Sequence, residues 1–205
     1  MSPAQTQLTP VSAMIAELVR RYWILGMECS LLEIQKLAWF LERAIERWSP
    51  GDNPLNLQFQ ADKYGPYADR LRHMLNDLDG SYLHCDKRIS DASPLDVIWF
   101  DDARKDYLQA YLKSSAAKPY AEALEHTAAL IDGFESPFGM ELLATVDWLL
   151  VRDGVAPNIA AVRAGLRHWS GGVGAAERKD RVFDDRAVGI ALERLTQHTV
   201  APTTA

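Results

Sequence analysis

The sequence predicts a mainly α-helical protein of the α+β class, with about seven to eight helices and a small antiparallel β-sheet. Apolar residues recur at helical spacing in successive segments, whereas only short segments alternate with a period of two. Of the 205 residues 48% are hydrophobic, which is enough for one substantial core. We therefore expect a single compact helical domain over residues 1–198 and a disordered tail over residues 199–205.

Two helices are predicted at the N-terminus. Thr9 and Pro10 form a helix start, and helical spacing of apolar residues continues to Gly26. Ser30 and Glu33 match a capping box that opens a second helix, which we expect to be the central helix of the core. Its apolar side comprises Ile34, Leu37, Ala38, Leu41, Ala44, Ile45 and Trp48, and its other faces carry Gln35, Glu42, Arg43 and Glu46.

The middle of the chain mixes short strands with helices. Residues 55–59 alternate as in a half-buried strand, and Pro66 is predicted to begin a helix that ends at Gly80. Residues 82–84 and 97–100 are candidates to pair with the first strand, and residues 86–96 form a surface loop. The remaining predicted helices are residues 102–115, 119–132, 137–152, 157–169 and 184–198.

Charge is unevenly distributed along the chain. The formal net charge is −6, but residues 52–153 alone carry 18 acidic and 10 basic side chains. This negative segment disfavours bare nucleic acid and favours a basic partner. The alternative is that these charges are only solvated helix faces and turns.

No cofactor, metal site or membrane association is expected. The N-terminus lacks the pattern of a signal peptide, and no segment has the roughly 18 uninterrupted apolar residues of a membrane span. Two cysteines, Cys29 and Cys85, indicate reduced thiols, so a cytoplasmic protein is expected. The five histidines do not have metal-ligand spacing.

The segment Tyr64–Tyr67, Tyr-Gly-Pro-Tyr, is the sharpest candidate binding site. Glycine tolerates a positive φ, and proline at a helix start loses no hydrogen bond, so the turn would position two tyrosines. They are either interface anchors or core residues at a strand-to-helix corner. On the following helix, Arg70, Arg72 and His73 could bind phosphate, but pairing with Asp62, Asp69, Asp77 and Asp79 is favoured.

A second candidate segment is Glu135–Glu141. Ser136 and Pro137 open a helix that is apolar almost all round, which is typical of an interior helix. Glu141 near its start is expected to be paired or hydrogen-bonded, although Glu135 and Glu141 could also form an acid/base pair. Trp169 with Arg163, Arg167, Arg178, Lys179 and Arg181 is a weak nucleic-acid signal, and a solvated helical face is favoured.

Several motifs occur together in one order. They are LLEIQKLAWFLERA from Leu31, LNLQFQ from Leu55, KYGPYADRLRHMLNDLDGSYL from Lys63, GFESPFGMELLATVDW from Gly133 and FDDRAVGIALERL from Phe183. In this combination the chain resembles the C-terminal domain of the DarG antitoxins, without their N-terminal macrodomain.

The resemblance implies a toxin-binding domain. In that family the domain occupies the single-stranded-DNA groove of the toxin DarT, a DNA ADP-ribosyltransferase, and so mimics DNA. It implies no enzymatic activity, no direct nucleic-acid binding and a monomer or 1:1 heterodimer with a DarT-like toxin. The expected partner-binding residues are Asp62, Tyr64, Gly65, Pro66, Tyr67, Asp69, Arg70, His73, Asp77, Glu135 and Phe138, together with the loop Asp86–Asp96.

Two other hypotheses remain open from the sequence. A Panacea-like regulatory or proteolytic-adaptor domain shares a Tyr-Gly-Pro corner and would have a different client. An enzyme acting on ADP-ribose or nucleic acid is the least favoured of the three.

Overall fold

The computed structural model describes residues 7–199. Within them lie nine α-helices and five short strands, joined by loops and 3₁₀ turns. This confirms the predicted mainly helical fold with a small antiparallel sheet, with one or two more helices than expected. The helices are α1 (Pro10–Ile24), α2 (Leu31–Trp48), α3 (Asp69–Leu78), α4 (Lys105–Leu112), α5 (Ala121–Ile131), α6 (Pro137–Val151), α7 (Ile159–Arg167), α8 (Val173–Val182) and α9 (Asp185–Thr199). The strands are β1 (Cys29–Ser30), β2 (Gln60–Asp62), β3 (Gly65–Tyr67), β4 (Leu83–His84) and β5 (Val97–Phe100).

The strands form two separate antiparallel units. In the first, β5 lies in the centre, with Cys29 opposite Ile98 on β1 and Leu83 opposite Phe100 on β4. In the second, β2 and β3 form a hairpin in which Asp62 lies opposite Gly65. The predicted segments at 82–84 and 97–100 therefore do pair, but their third strand is β1.

The predicted strand at residues 55–59 is wrong. Asn56 and Gln58 have φ angles of 43° and 57°, which are incompatible with a continuous strand. Leu55 and Leu57 are still buried, and the Leu57 amide donates to the Glu42 carboxylate at 2.9 Å instead of to a neighbouring strand. A side chain of α2 thus fixes a loop whose alternating pattern resembles that of a strand.

The predicted helix start at Pro66 is also wrong. Pro66 lies in β3, opposite Ala61, and α3 begins at Asp69. Between them, the Ala68 amide donates to Gln35 Oε1 at 2.8 Å, and Gln35 Nε2 donates to the Ala68 carbonyl at 3.1 Å. The α2 side chain keeps the backbone extended at the point where proline alone would permit a helix.

Helix α8 was not predicted. It begins after Gly172, which has a φ of 111°, and only Ala175, Ala176 and Lys179 are buried on it. Because one of its three buried residues is a lysine, its sequence lacks an apolar stripe of helical period.

Helix α2 is buried on nearly all sides. Its apolar residues belong to a core that runs from α1 to α9, as predicted. Gln35 and Glu42, expected on its outer faces, are only 2% and 5% exposed. They are buried because each holds a loop backbone by hydrogen bonds.

No helix within residues 7–199 has the length and apolar character needed to cross a lipid bilayer. Helix α9 extends to Thr199, and the remainder of the predicted tail, residues 200–205, lies outside the described residues.

Candidate functional site: the β2–β3 hairpin

The β2–β3 hairpin is attached to α2 through its backbone. Lys36, only 2% exposed, donates from Nζ to the Pro66 carbonyl at 2.7 Å. Gly65 has a φ of 95°, and a Cβ there would come within 3.0 Å of the Thr145 hydroxyl on α6. Glycine is therefore required for both the conformation and the close packing of the hairpin on α6.

A buried charge cluster lies beside the hairpin. Glu141 on α6 is 1% exposed and accepts from Arg178 at 2.5 and 2.9 Å and from Lys179 at 2.7 Å. The expectation that Glu141 is paired is confirmed. Lys179 is fully buried, so Glu141 is the charge that compensates it.

The same cluster reaches the tip of the hairpin. The Arg178 guanidinium lies 5.1 Å from the centre of the Tyr64 ring, and the Lys63 ammonium lies 5.0 Å from it. Both are within cation–π distance. Tyr64 is thus a half-buried ring with two cations beside it, although the surrounding sequence is acidic.

Trp169, between α7 and α8, binds the hairpin backbone at the end of β2. Its indole Nε1 donates to the Asp62 carbonyl at 2.9 Å, and the Lys179 ammonium lies 5.0 Å from its ring centre. A Cβ at Gly171 would lie 2.4 Å from that indole nitrogen and 2.6 Å from the Asp62 carbonyl oxygen. Gly171 therefore allows the α7–α8 connection to approach the hairpin backbone.

Gly171→Ala is expected to lower the free energy of unfolding by about 2 kcal/mol or more, because a methyl group has no space against backbone. Gly174→Ala is the matched control, since Gly174 lies in α8 with nothing within 4 Å of a Cβ. It should instead stabilise by about 0.5–1 kcal/mol. Urea unfolding followed by circular dichroism measures both, and equal effects would contradict the proposed close contact.

A cavity of about 50 Å³ opens between the hairpin and the start of α2. It is bounded by apolar, aromatic and charged side chains: Leu31, Leu32, Gln35, Lys36, Asp62, Tyr64, Tyr67, Arg72 and Pro94. It is too small for a whole nucleotide, since small-molecule pockets usually have about 300–1,000 Å³. It can accept one chemical group of a larger ligand.

The cavity combines groups of different chemistry. Burial, together with the nearby Lys179 ammonium, lowers the pKa of Lys36 to about 7, against the attraction of Glu141 and Asp62. Arg72 uses one nitrogen to donate to the carbonyls of Ser90 and Ala92. These two cations, two phenol rings and the exposed Asp62 carboxylate suit a ligand with an anionic group and a flat ring.

Most of the predicted binding residues lie on or beside this hairpin. Asp62, Tyr64 and Tyr67 line the cavity, and Gly65 and Pro66 are buried beneath it. On α3, Asp69 lies 3.4 Å from the Tyr67 hydroxyl, and Arg70 donates to the Asn56 carbonyl at 3.0 Å. His73 and Asp77 are exposed on α3 and do not line the cavity.

The pairing expected for the α3 arginines is wrong. Arg70 and Arg72 donate to loop carbonyls and form no ion pair with the aspartates around them among residues 7–199. In the loop Asp86–Asp96, Asp96 pairs with Lys87 at 2.7 Å and also accepts from the Ser93 amide.

Glu135 and Phe138 lie apart from the cavity. Glu135 accepts from the Gly133 amide at 2.6 Å and borders a different cavity, with Tyr22. Phe138 is 48% exposed and packs edge-on against Phe183, with ring centres 5.5 Å apart. Glu135 and Glu141 belong to separate groups of side chains, so the geometry gives no acid/base pair.

Five residues at or beside the cavity are not among the expected partner-binding residues: Gln35, Lys36, Arg72, Arg178 and Lys179. For Arg72 phosphate binding was the less favoured alternative, and for Arg178 and Lys179 nucleic-acid binding was. The signal for Gln35 and Lys36 was present, because the sequence IQKL places two long polar side chains next to apolar ones in a helix that is predicted to be central in the core. The basic residues of α8 were interpreted as a solvated face, although Lys179 is fully buried.

The chain is similar to bacterial proteins named DNA ADP-ribosyl glycohydrolase. Those of Mycobacterium bovis (strain BCG / Pasteur 1173P2) and Mycobacterium tuberculosis (strain ATCC 25618 / H37Rv) are each 33% identical over 197 residues, covering 89% of this chain and 51% of the relative. That of Thermus aquaticus (strain ATCC BAA-2747 / Y51MC23) is 34% identical over 165 residues, covering 80% of this chain and 42% of the relative. The chain thus spans about half the length of these relatives or less, and no protein-family profile matches it.

These relatives overturn the functional predictions made from the sequence. Their name describes a hydrolase acting on ADP-ribosylated DNA, which contradicts a DarT-binding antitoxin domain, the DNA-mimic mechanism, the absence of enzymatic function and the exclusion of nucleic acid. Several residues of the quoted motifs are structural: Gln35 and Lys36 hold the hairpin backbone, and Glu141 compensates a buried lysine. Such residues indicate a shared architecture and do not by themselves specify an activity. The chain is similar, over most of its length, to about half of a DNA ADP-ribosyl glycohydrolase.

Proposed function

We propose that this chain acts in the enzymatic removal of ADP-ribose from DNA and that the hairpin cavity contacts the modified nucleotide. The observation that carries the proposal is the 33% identity, over 89% of the chain, to proteins named for that activity. Since the chain spans about half of those proteins, the activity of the whole enzyme is part of the proposal.

The chemistry of the cavity supports this substrate class. An ADP-ribosylated nucleotide carries flat bases and several phosphates. Tyr64 and Tyr67 offer rings on which a base can stack, and Arg72 and Lys36 offer positive charge to a phosphate oxygen. The cavity volume of about 50 Å³ fits one phosphate or the edge of one ring, so the rest of the substrate would extend across the surface.

Asp62 is the carboxylate that lines the cavity, and it is exposed. Cleavage of a glycosidic bond needs a group that moves a proton, either to the departing atom or from the attacking water. We assign this role to Asp62, because Glu141, the nearest buried carboxylate of the cluster, is occupied by Arg178 and Lys179.

The negative charge of residues 52–153 does not oppose binding at this point. Lys63 and Arg178 flank Tyr64, and Lys36 and Arg72 line the cavity. The local field is therefore set by cations from α2, the hairpin, α3 and α8. Action on DNA also accords with a cytoplasmic location in bacteria. One core joining α1 to α9 supports the predicted single domain over residues 1–198, of which residues 1–6 lie outside the described part of the chain.

The test uses the full chain with a short oligonucleotide carrying a single ADP-ribosyl group and with the same oligonucleotide unmodified. We expect at least about tenfold tighter binding of the modified strand by fluorescence anisotropy, and release of ADP-ribose by chromatography. Tyr64→Ala and Arg72→Gln should each weaken binding about tenfold. The exposed Tyr107→Ala and Arg88→Gln are the matched controls and should bind like the unaltered chain.

Asp62→Asn separates binding from hydrolysis. We expect it to slow release of ADP-ribose by at least about a hundredfold while leaving the affinity within a few-fold. Binding without release by the unaltered chain would remove the catalytic role of Asp62. Equal affinity for the modified and unmodified strands, with no release, would contradict the proposed function.

A further inference from the structure

Another cavity, of about 50 Å³, lies among α2, α5, α6 and α9. It shares no lining residue with the hairpin cavity. Its polar lining consists of Arg43, Arg47, His126, Asp147 and His198, and the rest of the lining is aromatic or aliphatic. Basic side chains from three helices therefore surround a space that can hold one small group.

The carboxylate of this lining already has partners. Asp147 is 4% exposed, and its two oxygens each accept from Arg43 Nη1 at 2.7 Å. Its Oδ2 also accepts from the Trp39 indole at 2.8 Å. The Asp147 charge therefore compensates Arg43, and no further carboxylate among residues 7–199 lines the cavity.

Several hydrogen-bond donors of the lining have no partner among residues 7–199. Arg43 donates only through Nη1, and neither His126 nor His198 uses a ring nitrogen in a hydrogen bond. Each of these three side chains is half-buried, and none of the unused nitrogens is closed to water. These nitrogens are therefore available to a ligand that enters the cavity.

The two imidazoles lie close to each other and to an arginine. The ring centres of His126 and His198 are 5.5 Å apart, and the His126 ring centre is 4.4 Å from that of Trp48. The Arg47 guanidinium lies 5.2 Å from the Trp48 ring centre and donates to the His198 carbonyl at 3.2 Å. Contacts within the protein thus hold the basic side chains in place around the cavity.

This concentration of basic groups disfavours their protonation. Burial is the main cause that lowers the pKa of His126 to about 4. The charges of His198, Arg47 and Arg43 act in the same direction. Burial, and then the charge of Arg194, also lower the pKa of His198. An anion in the cavity would raise both pKa values, so its binding would be accompanied by proton uptake.

We propose that this cavity binds the oxyanion of a phosphate group. Its oxygens accept from the imidazoles of His126 and His198 and from the unused guanidinium nitrogens of Arg43. Arg47 adds positive charge. The volume of about 50 Å³ holds one phosphate and is too small for a whole nucleotide. A metal ion does not fit the lining, since no group of three His, Cys, Asp or Glu side chains within residues 7–199 can hold one.

The test is a titration of the full chain with sodium sulfate at pH 7.5 and pH 5.5, at an ionic strength held constant with sodium chloride and followed by NMR chemical shifts. Sulfate keeps two negative charges over this range, whereas a phosphate monoester titrates at about pH 6. We expect saturation with a Kd of about 5 mM at pH 7.5. Binding should be about tenfold tighter at pH 5.5, because an imidazole restored to a pKa of about 6.5 takes up a proton.

His126→Gln should raise the Kd about tenfold at pH 5.5 and remove most of the pH dependence. His73→Gln is the matched control, because His73 is exposed on α3 and lines neither cavity; it should keep the full dependence. Burial raises the pKa of Asp147. If protonation of Asp147 were the cause, the pH dependence would persist in His126→Gln.

Competition against bound sulfate identifies the source of the phosphate. Displacement by a short unmodified oligonucleotide would assign the cavity to a phosphate of a nucleic-acid strand, and displacement by inorganic phosphate alone would assign it to free phosphate. No saturation at 20-fold the expected Kd, equal chemical-shift changes with sodium chloride alone, or an unchanged pH dependence in His126→Gln would each overturn the proposal. These outcomes are independent of the proposed function, because the two cavities share no lining residue.

Discussion

Glu141→Gln is expected to lower the free energy of unfolding by about 3–5 kcal/mol. The carboxylate is 1% exposed and bonds both Arg178 and Lys179. Lys179 is fully buried, so removing its counter-charge leaves an ammonium whose remaining partners are the Thr145 hydroxyl at 3.3 Å and the Trp169 and Phe183 rings. Urea unfolding at neutral pH, followed by circular dichroism, measures the loss.

Two variants show whether the effect comes from the unpaired lysine. Glu177→Gln on the exposed face of α8 removes the same charge and should change stability by less than about 0.5 kcal/mol. The double variant Glu141→Leu with Lys179→Met replaces the pair by apolar groups and should recover most of the loss. A loss below about 1 kcal/mol in Glu141→Gln would mean that Lys179 reaches solvent.

Lys36 is expected to make stability depend on pH in the alkaline range. Burial lowers its pKa to about 7 in the folded protein, whereas the unfolded chain retains about 10.4. Below pH 7 the amine is charged in both states, and the full cost of burying that charge opposes folding. Between about pH 7 and pH 10.4 only the unfolded chain binds this proton, so the free energy of unfolding rises with pH.

The comparison with Lys36→Met isolates this contribution from other titrating groups. The free energy of unfolding of the unaltered chain minus that of Lys36→Met should rise by on the order of 4 kcal/mol from pH 7 to pH 10. A flat difference for Lys36→Met would show that Lys36 keeps an ordinary pKa.

The sequence was a poor guide to charge at the hairpin. A net negative segment disfavours bare nucleic acid, but Arg178 and Lys179 come from outside that segment and contact Tyr64 and Glu141 in the fold. Net charge along a chain describes long-range attraction, whereas a site is governed by the groups that tertiary contacts place within a few ångströms.

The hairpin itself illustrates a second limit of local sequence signals. Gly65 has the positive φ expected for it, and Tyr64 and Tyr67 line the cavity, whereas their role as partner-binding residues stays a prediction. The conformation was nevertheless mistaken for a helix start, because the deciding contacts come from Gln35 and Lys36, about thirty residues earlier.

The sequence by itself determined the mainly helical architecture, the caps of α1 and α2 and the buried helix α6, because periodic apolar residues and capping side chains act over a few residues. Only the tertiary structure decided where the buried polar side chains point. The Glu42 carboxylate accepts from the Leu57 amide and so fixes the alternating segment as a loop. The Glu141 carboxylate pairs with Lys179 inside the core. Such long-range polar bonds leave no periodic trace in the sequence, since each partner is selected by its position in the folded chain.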